Sequence, residues 1–498
     1  MKKDGELSHE QYQSMRSTRA APGKFYGLPK THEKDNPLQP VISNCGTYNY
    51  NVAKFLTNLL SPYSKSDLSY VKDSFEFVEF IRNRQINNDE EMVSIDVESL
   101  FTNVSTNETI DIIIRDLYLD NKLKNVTKIS ENSMRKLLKI CTQEAHFMFN
   151  NEFYEQITPL GPLFANWFLK DFELKFIGSN LATLGIRLWK RYADIFAIVE
   201  INASNNILKY LNCKHGAIKF TMCLAEQARL QFLDTTVISD QTRSHYYTDI
   251  YHKPTDTGLY LLYDSCVAKE YKFGTINALL HRAWKICSDY KQFDLEVNRI
   301  RKNFQALCYP EFAINKCVKN FVEKRIETNI QDTTNKRKDE VLITLPYIGD
   351  ISNRLVKQLN KTVQEAGLNT TVRGVFKGVR KINNYFKLKD KTPKLLQSNV
   401  VYSIKCLDCD AEYVGKTTQH IDARIYQHKI VKGGQHGLAK SHITEHSQRL
   451  GHQIDWQHYS ILARASNDYY LKIKETLLIK ERTPLMNNNE TSVVLQLF

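Results

Sequence analysis

MVSIDVESLFTNV at 92–104 and WKRYADIFAIV at 189–199 are the two stretches on which the reading of this chain turns. Both are rich in β-branched and aromatic residues, as strands are, and each carries one aspartate at a strand end. Asp96 closes the apolar part of the first, and Asp194 separates the two halves of the second. Carboxylates from two neighbouring strands can hold two divalent cations, which clamp the attacking and leaving oxygens of a phosphoryl transfer. Aspartate is also common in any turn that ends a strand. Spacing alone favours two ordinary turn residues, so the surrounding sequence must decide.

A length of 498 residues predicts two to four domains with sizeable cores. Lys and Arg number 68 against 55 Asp and Glu, a formal charge of +13 that favours a polyanionic partner such as nucleic acid. Hydrophobic content of 42% with 11% aromatics indicates folded domains and excludes a largely disordered chain. No apolar run has the length of a membrane span, and MKKDGELSHEQYQ lacks a signal-peptide core, so no membrane partner is expected. The ten cysteines are mostly isolated, as in a reducing compartment, with Cys406 and Cys409 the one close pair.

The texture changes three times along the chain. Residues 24–265 mix short β-rich runs (MVSID, RYADIFAIV, QFLDTTVI, HYYTDIYHK) with helical stretches such as Tyr50–Leu60 and Met134–Gln143, which predicts an α+β domain. Residues 266–335 carry apolar positions at helical spacing through INALLHRAWKIC and QFDLEVNRIRKNFQAL and read as a helical bundle. Residues 336–395 open on the charged TNKRKDE and continue as a strand and helix, VLITLPYIG and SNRLVKQLNKTVQEAG. They close on a cationic stretch with Arg373, Lys377, Arg380, Lys381, Lys387, Lys389, Lys391 and Lys394 beside Tyr385 and Phe386. That stretch reads equally as a solvated face or a nucleic-acid-contacting linker. A compact α+β pattern fills 396–498.

In that last segment, VVYSIKCLDCDAEYVGKTTQHIDARIYQHK at 400–429 predicts two strands, with Tyr402 and Tyr413 near their ends, and an amphipathic helix. Arg424 and His428 lie one turn apart on one face of that helix. LKIKETLLIKE presents Glu475 and PLMNNNE provides Asn487. A phosphodiester nuclease can use such a set: a tyrosine or bound water attacks, an arginine stabilises phosphorane charge, and a glutamate holds one divalent cation. Taken singly, each is more often structural. Cys406 and Cys409 have the spacing of a zinc knuckle, with His446 and His452 as completing ligands and His442 as a competitor. A redox pair or two incidental thiols are the other readings.

FYGLPKTH at 25–32, PLQPVIS at 37–43, SIDVESLFTNV and RYADIFAIV, with IKFTM, QFLDTTV and YHKPTDTGLYLLYDS, together resemble the reverse transcriptases of Penelope-like retroelements. The likeness covers nearly the whole chain. It implies an α+β multidomain protein: right-hand polymerase fingers and palm at 1–265, a helical thumb at 266–335, a connector with a basic linker at 336–395, and a nuclease at 396–498. Asp96 and Asp194 would be the metal-binding palm aspartates, and Lys30 and Gln39 would lie near the incoming nucleotide. The C-terminal residues, in order, resemble a GIY-YIG endonuclease. That resemblance carries catalytic roles to Tyr402, Tyr413, Arg424, His428, Glu475 and Asn487, with Glu475 the metal holder. Related elements carry a CCHH set in this domain, which implies zinc on Cys406, Cys409, His446 and His452.

Three departures accompany the resemblance. Gln39 stands where the family has an arginine, and it cannot grip a phosphate bidentately. Asp194 is followed by Ile195 where the family's hairpin has a second aspartate, and one residue is missing. A one-residue loss flips the following strand's side chains unless the turn absorbs it. The glycine-rich stretch expected between Ile157 and Pro162 is reduced to Gly161. These departures weigh against retained polymerase activity, because metal-assisted catalysis depends steeply on ligand placement. A degenerate, N-terminally shortened copy of the element would explain them.

The leading expectation is an RNA-directed DNA polymerase (a nucleotidyltransferase) coupled to a DNA-nicking endonuclease for target-primed reverse transcription. Its partners would be an RNA template, a DNA target and dNTPs, and its cofactors Mg2+ (or Mn2+) and zinc. The alternative is a nuclease whose polymerase domain survives as a nucleic-acid-binding scaffold, and a third reading is a catalytically silent binding protein. Nuclear residence, otherwise cytoplasmic, follows from having to reach chromosomal DNA.

Overall fold

A computed structural model describes residues 1, 4–17, 21–31, 35–65, 69–119, 122–123, 126–143, 146–150, 152–155, 160–240, 244–328, 339–378, 385, 392–429, 441–465 and 467–487. Up to residue 250 the order is α1 (His9–Met15), β1 (Gly23–Pro29), β2 (Leu38–Ser43), α2 (Tyr50–Leu60), α3 (Ser74–Arg82), β3 (Glu90–Val97), α4 (Leu100–Asn103), α5 (Thr106–Ile114), α6 (Glu131–Thr142), β4 (His146–Phe149), β5 (Glu152–Glu155), α7 (Gly161–Phe176), β6 (Ile186–Arg191), β7 (Ile195–Glu200), α8 (Ser204–Asn212), β8 (Phe220–Leu224), β9 (Arg229–Phe232), β10 (Thr235–Ile238) and β11 (Tyr247–Ile250). These strands make three sheets, ordered β2-β1-β4-β5, β6-β7-β3-β8 and β11-β10-β9. Helix starts follow local chemistry. The Asp73 carboxylate accepts from the backbone of Phe75 and Glu76 at 3.0 Å to cap α3, and Ser130 caps α6.

The central sheet is antiparallel throughout and buried on both faces. One face sends Val93, Ile95, Ile195, Ala197 and Val199 into a core shared with α5 and α7. The other sends Met92, Leu188, Phe196 and Ile198 against Phe77, Ile81, Leu230 and Val237. A strand wet on one side alternates apolar and polar residues, but one covered on both sides reads as a continuous apolar run, which is why β7 is IFAIV. The expected parity flip therefore carries little penalty, since either alternation lands in a core. The run QFLDTTVI, expected as one β stretch, turns at Leu233 (φ 55°) into the β9–β10 hairpin.

Next come α9 (Lys269–Ile286), α10 (Tyr290–Ala306) and α11 (Glu311–Thr328). They pack around Ile276, Leu280, Phe293, Val297 and Phe304, the positions whose spacing predicted helices, together with Ile314. Then β12 (Asp339–Pro346), α12 (Asp350–Glu365) and β13 (Thr370–Lys377) form a βαβ unit with parallel strands. Both Asn360 amide groups tie to Val372, donating to its carbonyl at 2.7 Å and accepting from its N–H at 2.8 Å. Arg373 and Lys377, read from sequence as part of a cationic linker, belong to β13 because TTVRGVFK alternates against β12. Arg380, Lys381, Phe386, Lys387, Lys389, Lys391 and residues 334–338 lie outside the described residues.

The C-terminal segment contains β14 (Val400–Lys405), β15 (Glu412–Thr417), α13 (Ile421–Lys429), α14 (His442–Leu450), β16 (Ser460–Arg464) and α15 (Asp468–Arg482). Its sheet is antiparallel in the order β15-β14-β16. Val400 is fully buried at the entry to β14. No helix of the described residues is long and apolar enough to cross a membrane.

Candidate active sites

The central sheet brings Asp96 and Asp194 together. In the β3–β7 ladder Ile95 pairs with Ile195, so the two aspartates stand opposite each other one position beyond the last pair. Strand alternation puts both on the face opposite Ile95 and Ile195. Both residues are exposed. The Asp194 carboxyl is nevertheless pushed above the usual carboxylate range, first by partial desolvation, then by the charge of Asp96 and a hydrogen bond with it. Two carboxylates within hydrogen-bonding reach repel unless they share a proton or a cation, so the pair suits a divalent ion. Asp96 Oδ1 also accepts from the Val97 N–H at 2.8 Å. Ile195 offers no third ligand, because its side chain is 1% exposed and points into the opposite core.

The hairpin bearing Asp194 closes with the Tyr192 N–H on the Asp194 carbonyl at 3.0 Å. Its root is a buried ion pair that the sequence reading missed. Arg191 and Glu173, each 1% exposed, meet at 2.9 Å. Ser69 Oγ and Trp189 Nε1 donate to the same carboxylate at 2.5 and 2.9 Å, and Arg191 Nη1 donates to Asn166 at 3.1 Å. A glutamate in a helix otherwise buried nearly all round, GPLFANWFLKDFELKF, was the available signal.

Lys30 and Gln39 lie on the separate β2-β1-β4-β5 sheet. Lys30, at the end of β1, bonds through its N–H to the Pro37 carbonyl at 2.9 Å, and Gln39 is exposed on β2 opposite Leu28. Gly161 begins α7, and among the described residues a Cβ there would meet only Phe101, at 3.7 Å. Residues 156–159 of the same stretch lie outside the described residues.

A second cluster forms on the C-terminal sheet. The Tyr402 hydroxyl is 2.8 Å from His428 Nε2 and accepts from Arg424 Nε at 3.4 Å. The ring centres of Tyr402 and Tyr413 are 6.3 Å apart, and those of Tyr413 and His428 are 5.5 Å apart. Tyr402 pairs with Gly415, and the Tyr413 ring folds over that glycine: a Cβ there would meet Tyr413 Cε1 at 2.6 Å. Burial raises the pKa of both phenols, and the charge of Glu475 adds to this in each case. Burial opposes the Arg424 charge, but the two phenols outweigh it and raise its pKa. Burial, then Arg424, pushes the His428 imidazole down to about 4, so it is neutral at pH 7 and a weaker base than an exposed histidine. Tyr402, Tyr413, Arg424, His428 and Glu475 are thus brought into one site. Asn487 is a clamp beside it, accepting from the Val414 N–H at 2.8 Å and donating to the Val414 carbonyl at 2.6 Å.

Cys406, Cys409, His446 and His452 place one donor atom each within 4.8 Å of one another, and His442 is not among them. The sulfur–nitrogen distances are 3.7 Å (Cys406 to His452) and 3.5 Å (Cys409 to His446), and the nitrogen–nitrogen distance is 3.3 Å. A tetrahedral zinc with bonds of about 2.3 Å to sulfur and about 2.05 Å to nitrogen sets edges of about 3.6 and 3.3 Å. These three edges match that ion. Burial and then His452 lower the pKa of His446, which keeps it in the neutral form a ligand needs.

Comparison with known proteins adds five findings. The animal helix-turn-helix domain family matches residues 259–319. No curated protein matches the chain. Among solved structures, telomerase from Candida albicans with a TWJ fragment of telomeric RNA matches at 10% identity and TM-score 0.42, covering 66% of this chain and 63% of that one. Apo telomerase from Candida Tropicalis, truncated from the C-terminal domain, matches at 16% identity and TM-score 0.33, covering 44% and 53%. The BmCPV RNA-dependent RNA polymerase at elongation state matches at 13% identity and TM-score 0.31, covering 55% and 25%. The chain thus spans between 53% and 63% of the length of these two telomerase chains.

Proposed function

We propose that the chain is a retroelement-type RNA-directed DNA polymerase joined to a DNA-nicking GIY-YIG endonuclease. The observation that carries the polymerase half is the side-by-side placement of Asp96 and Asp194 on adjacent strands. They would hold Mg2+ or Mn2+, which supplies charge neutralisation for phosphoryl transfer. The residues themselves present carboxylates on one open face, with the Glu173–Arg191 pair setting the hairpin. In the nuclease half, Tyr402 gives its proton to His428 Nε2, Arg424 stabilises the phenolate and then phosphorane charge, and Glu475 would hold one divalent cation. Zinc on the four Cys and His donors would brace the β14–β15 hairpin against α14. An RNA template, a DNA target and dNTPs fit the cationic composition, and action on chromosomal DNA would require nuclear residence.

Ile195 favours a second reading, in which the nuclease is active and the polymerase domain only binds nucleic acid. Incorporation of dNTPs on a poly-RNA template with magnesium or manganese separates the two. Incorporation abolished by Asp96→Ala supports the first; intact plasmid nicking without incorporation leaves the second. Nicking unchanged in Glu475→Ala removes the nuclease from both.

A further inference from the structure

Ser441 occupies the N-cap of α14, in extended conformation (φ −144°, ψ 133°), and serine there ordinarily accepts a hydrogen bond from the helix's first turn. Its side chain makes no such bond. The hydroxyl instead lies 2.7 Å from His428 Nδ1, on the side of the ring opposite Tyr402. The helix end thus forgoes its cap for a contact with a buried histidine, 4% exposed.

A serine hydroxyl can donate or accept, so the tautomer is decided from the Tyr402 side of the ring. Arg424 Nε already donates to the Tyr402 oxygen. If His428 carried its proton on Nε2, two donors would converge on one buried phenol oxygen, and the phenol's own proton would lose Nε2 as its acceptor. If the proton sits on Nδ1 and is donated to Ser441 Oγ, Nε2 is left as an acceptor for the Tyr402 O–H. We infer that Ser441 is a positioning residue for phosphodiester cleavage, holding His428 in the tautomer that can take the Tyr402 proton. This rests on the nuclease reading above. In the step it serves, the O–H bond of Tyr402 breaks and an N–H bond forms at His428 Nε2. The Nδ1–H stays on Ser441 Oγ, and the phenolate stays beside Arg424. No other bond changes. The same helix carries His446, so a metal on the Cys/His cluster would help fix the position of the serine.

The test uses the full chain and its Ser441→Ala and Ser441→Thr variants. Plasmid nicking is measured across pH, and 15N spectra of histidine-labelled protein are assigned with His428→Gln. The expected result is a fall in kcat of about 10–100-fold for Ser441→Ala with KM unchanged, the scale seen when a partner orienting a functional histidine is lost. Its acid limb moves to lower pH, because the bond that favours the imidazolium is gone. Ser441→Thr, which keeps the hydroxyl, retains wild-type kcat, and the wild-type His428 spectrum shows Nδ1 protonated. Wild-type nicking with an unshifted pH profile in Ser441→Ala overturns the inference, as does an Nε2-protonated His428 in the wild type. A wild-type chain that does not nick, yet keeps Nδ1 protonated, overturns the nuclease reading itself and the positioning role with it.

Discussion

Ile95 and Ile195 face each other across the β3–β7 ladder, both at most 1% exposed, and their pairing sets the aspartates beside them on the opposite face. A carboxylate at 195 would therefore enter the apolar core and not complete the Asp96–Asp194 pair. Ile195→Asp is expected to cost at least about 4 kcal/mol, since it removes core packing and buries an unpaired charge. It is expected to restore no polymerase function. Urea unfolding checks the first outcome and dNTP incorporation the second.

Glu173 and Arg191 are buried together. Arg191→Met leaves the carboxylate without its charge partner and should destabilise the protein by about 3–5 kcal/mol. The double variant Glu173→Leu with Arg191→Met should recover much of that loss. A single variant as stable as wild type in chemical denaturation would show that the pair does not anchor the hairpin.

The imidazole of His428 titrates near 4 in the folded chain, against an ordinary value near 6.5. Between those values the unfolded chain binds the extra proton, so stability is full above about 6.5 and is lost as pH falls toward about 4. The loss should be on the order of 3 kcal/mol. Thermal melting from pH 7.5 to 4.5 should show it, and His428→Gln should flatten that part of the profile.

Gly415 lies under the Tyr413 ring at a distance no Cβ tolerates. Gly415→Ala must displace the phenol from Tyr402 and His428, so nicking should fall by at least about tenfold. The protein should keep the four Cys and His donors gathered, because they lie beyond the strand. Plasmid nicking together with metal content separates the two effects.

Purified chain should carry one zinc ion per molecule, and Cys406→Ser should lose it, with a lower melting temperature. Stoichiometric zinc retained in that variant would mean that the four donors do not form the site.

Much of the C-terminal site was legible because its spacing is local: Arg424 and His428 share a helix face by periodicity, and Tyr402 and Tyr413 share a hairpin. Asp96 and Asp194 were legible as strand ends, though their adjacency depends on a ladder nearly a hundred residues apart in sequence. Other features left no pattern. Leu233 turns the β9–β10 hairpin with a positive φ and no glycine to signal it. Arg373 and Lys377 masked a strand, because charge on the exposed face hid the alternation of Val372 and its neighbours. Asn487 looked like a reacting group, but the Val414 backbone takes both ends of its amide. Ser441 belongs to none of the motifs read from the sequence.

A β7 strand packed on both sides has an evolutionary consequence. Selection for folding reads only the greasiness of IFAIV, and either alternation of those residues satisfies it. Chemistry at the neighbouring turn can therefore erode while the protein still matures and persists in the cell.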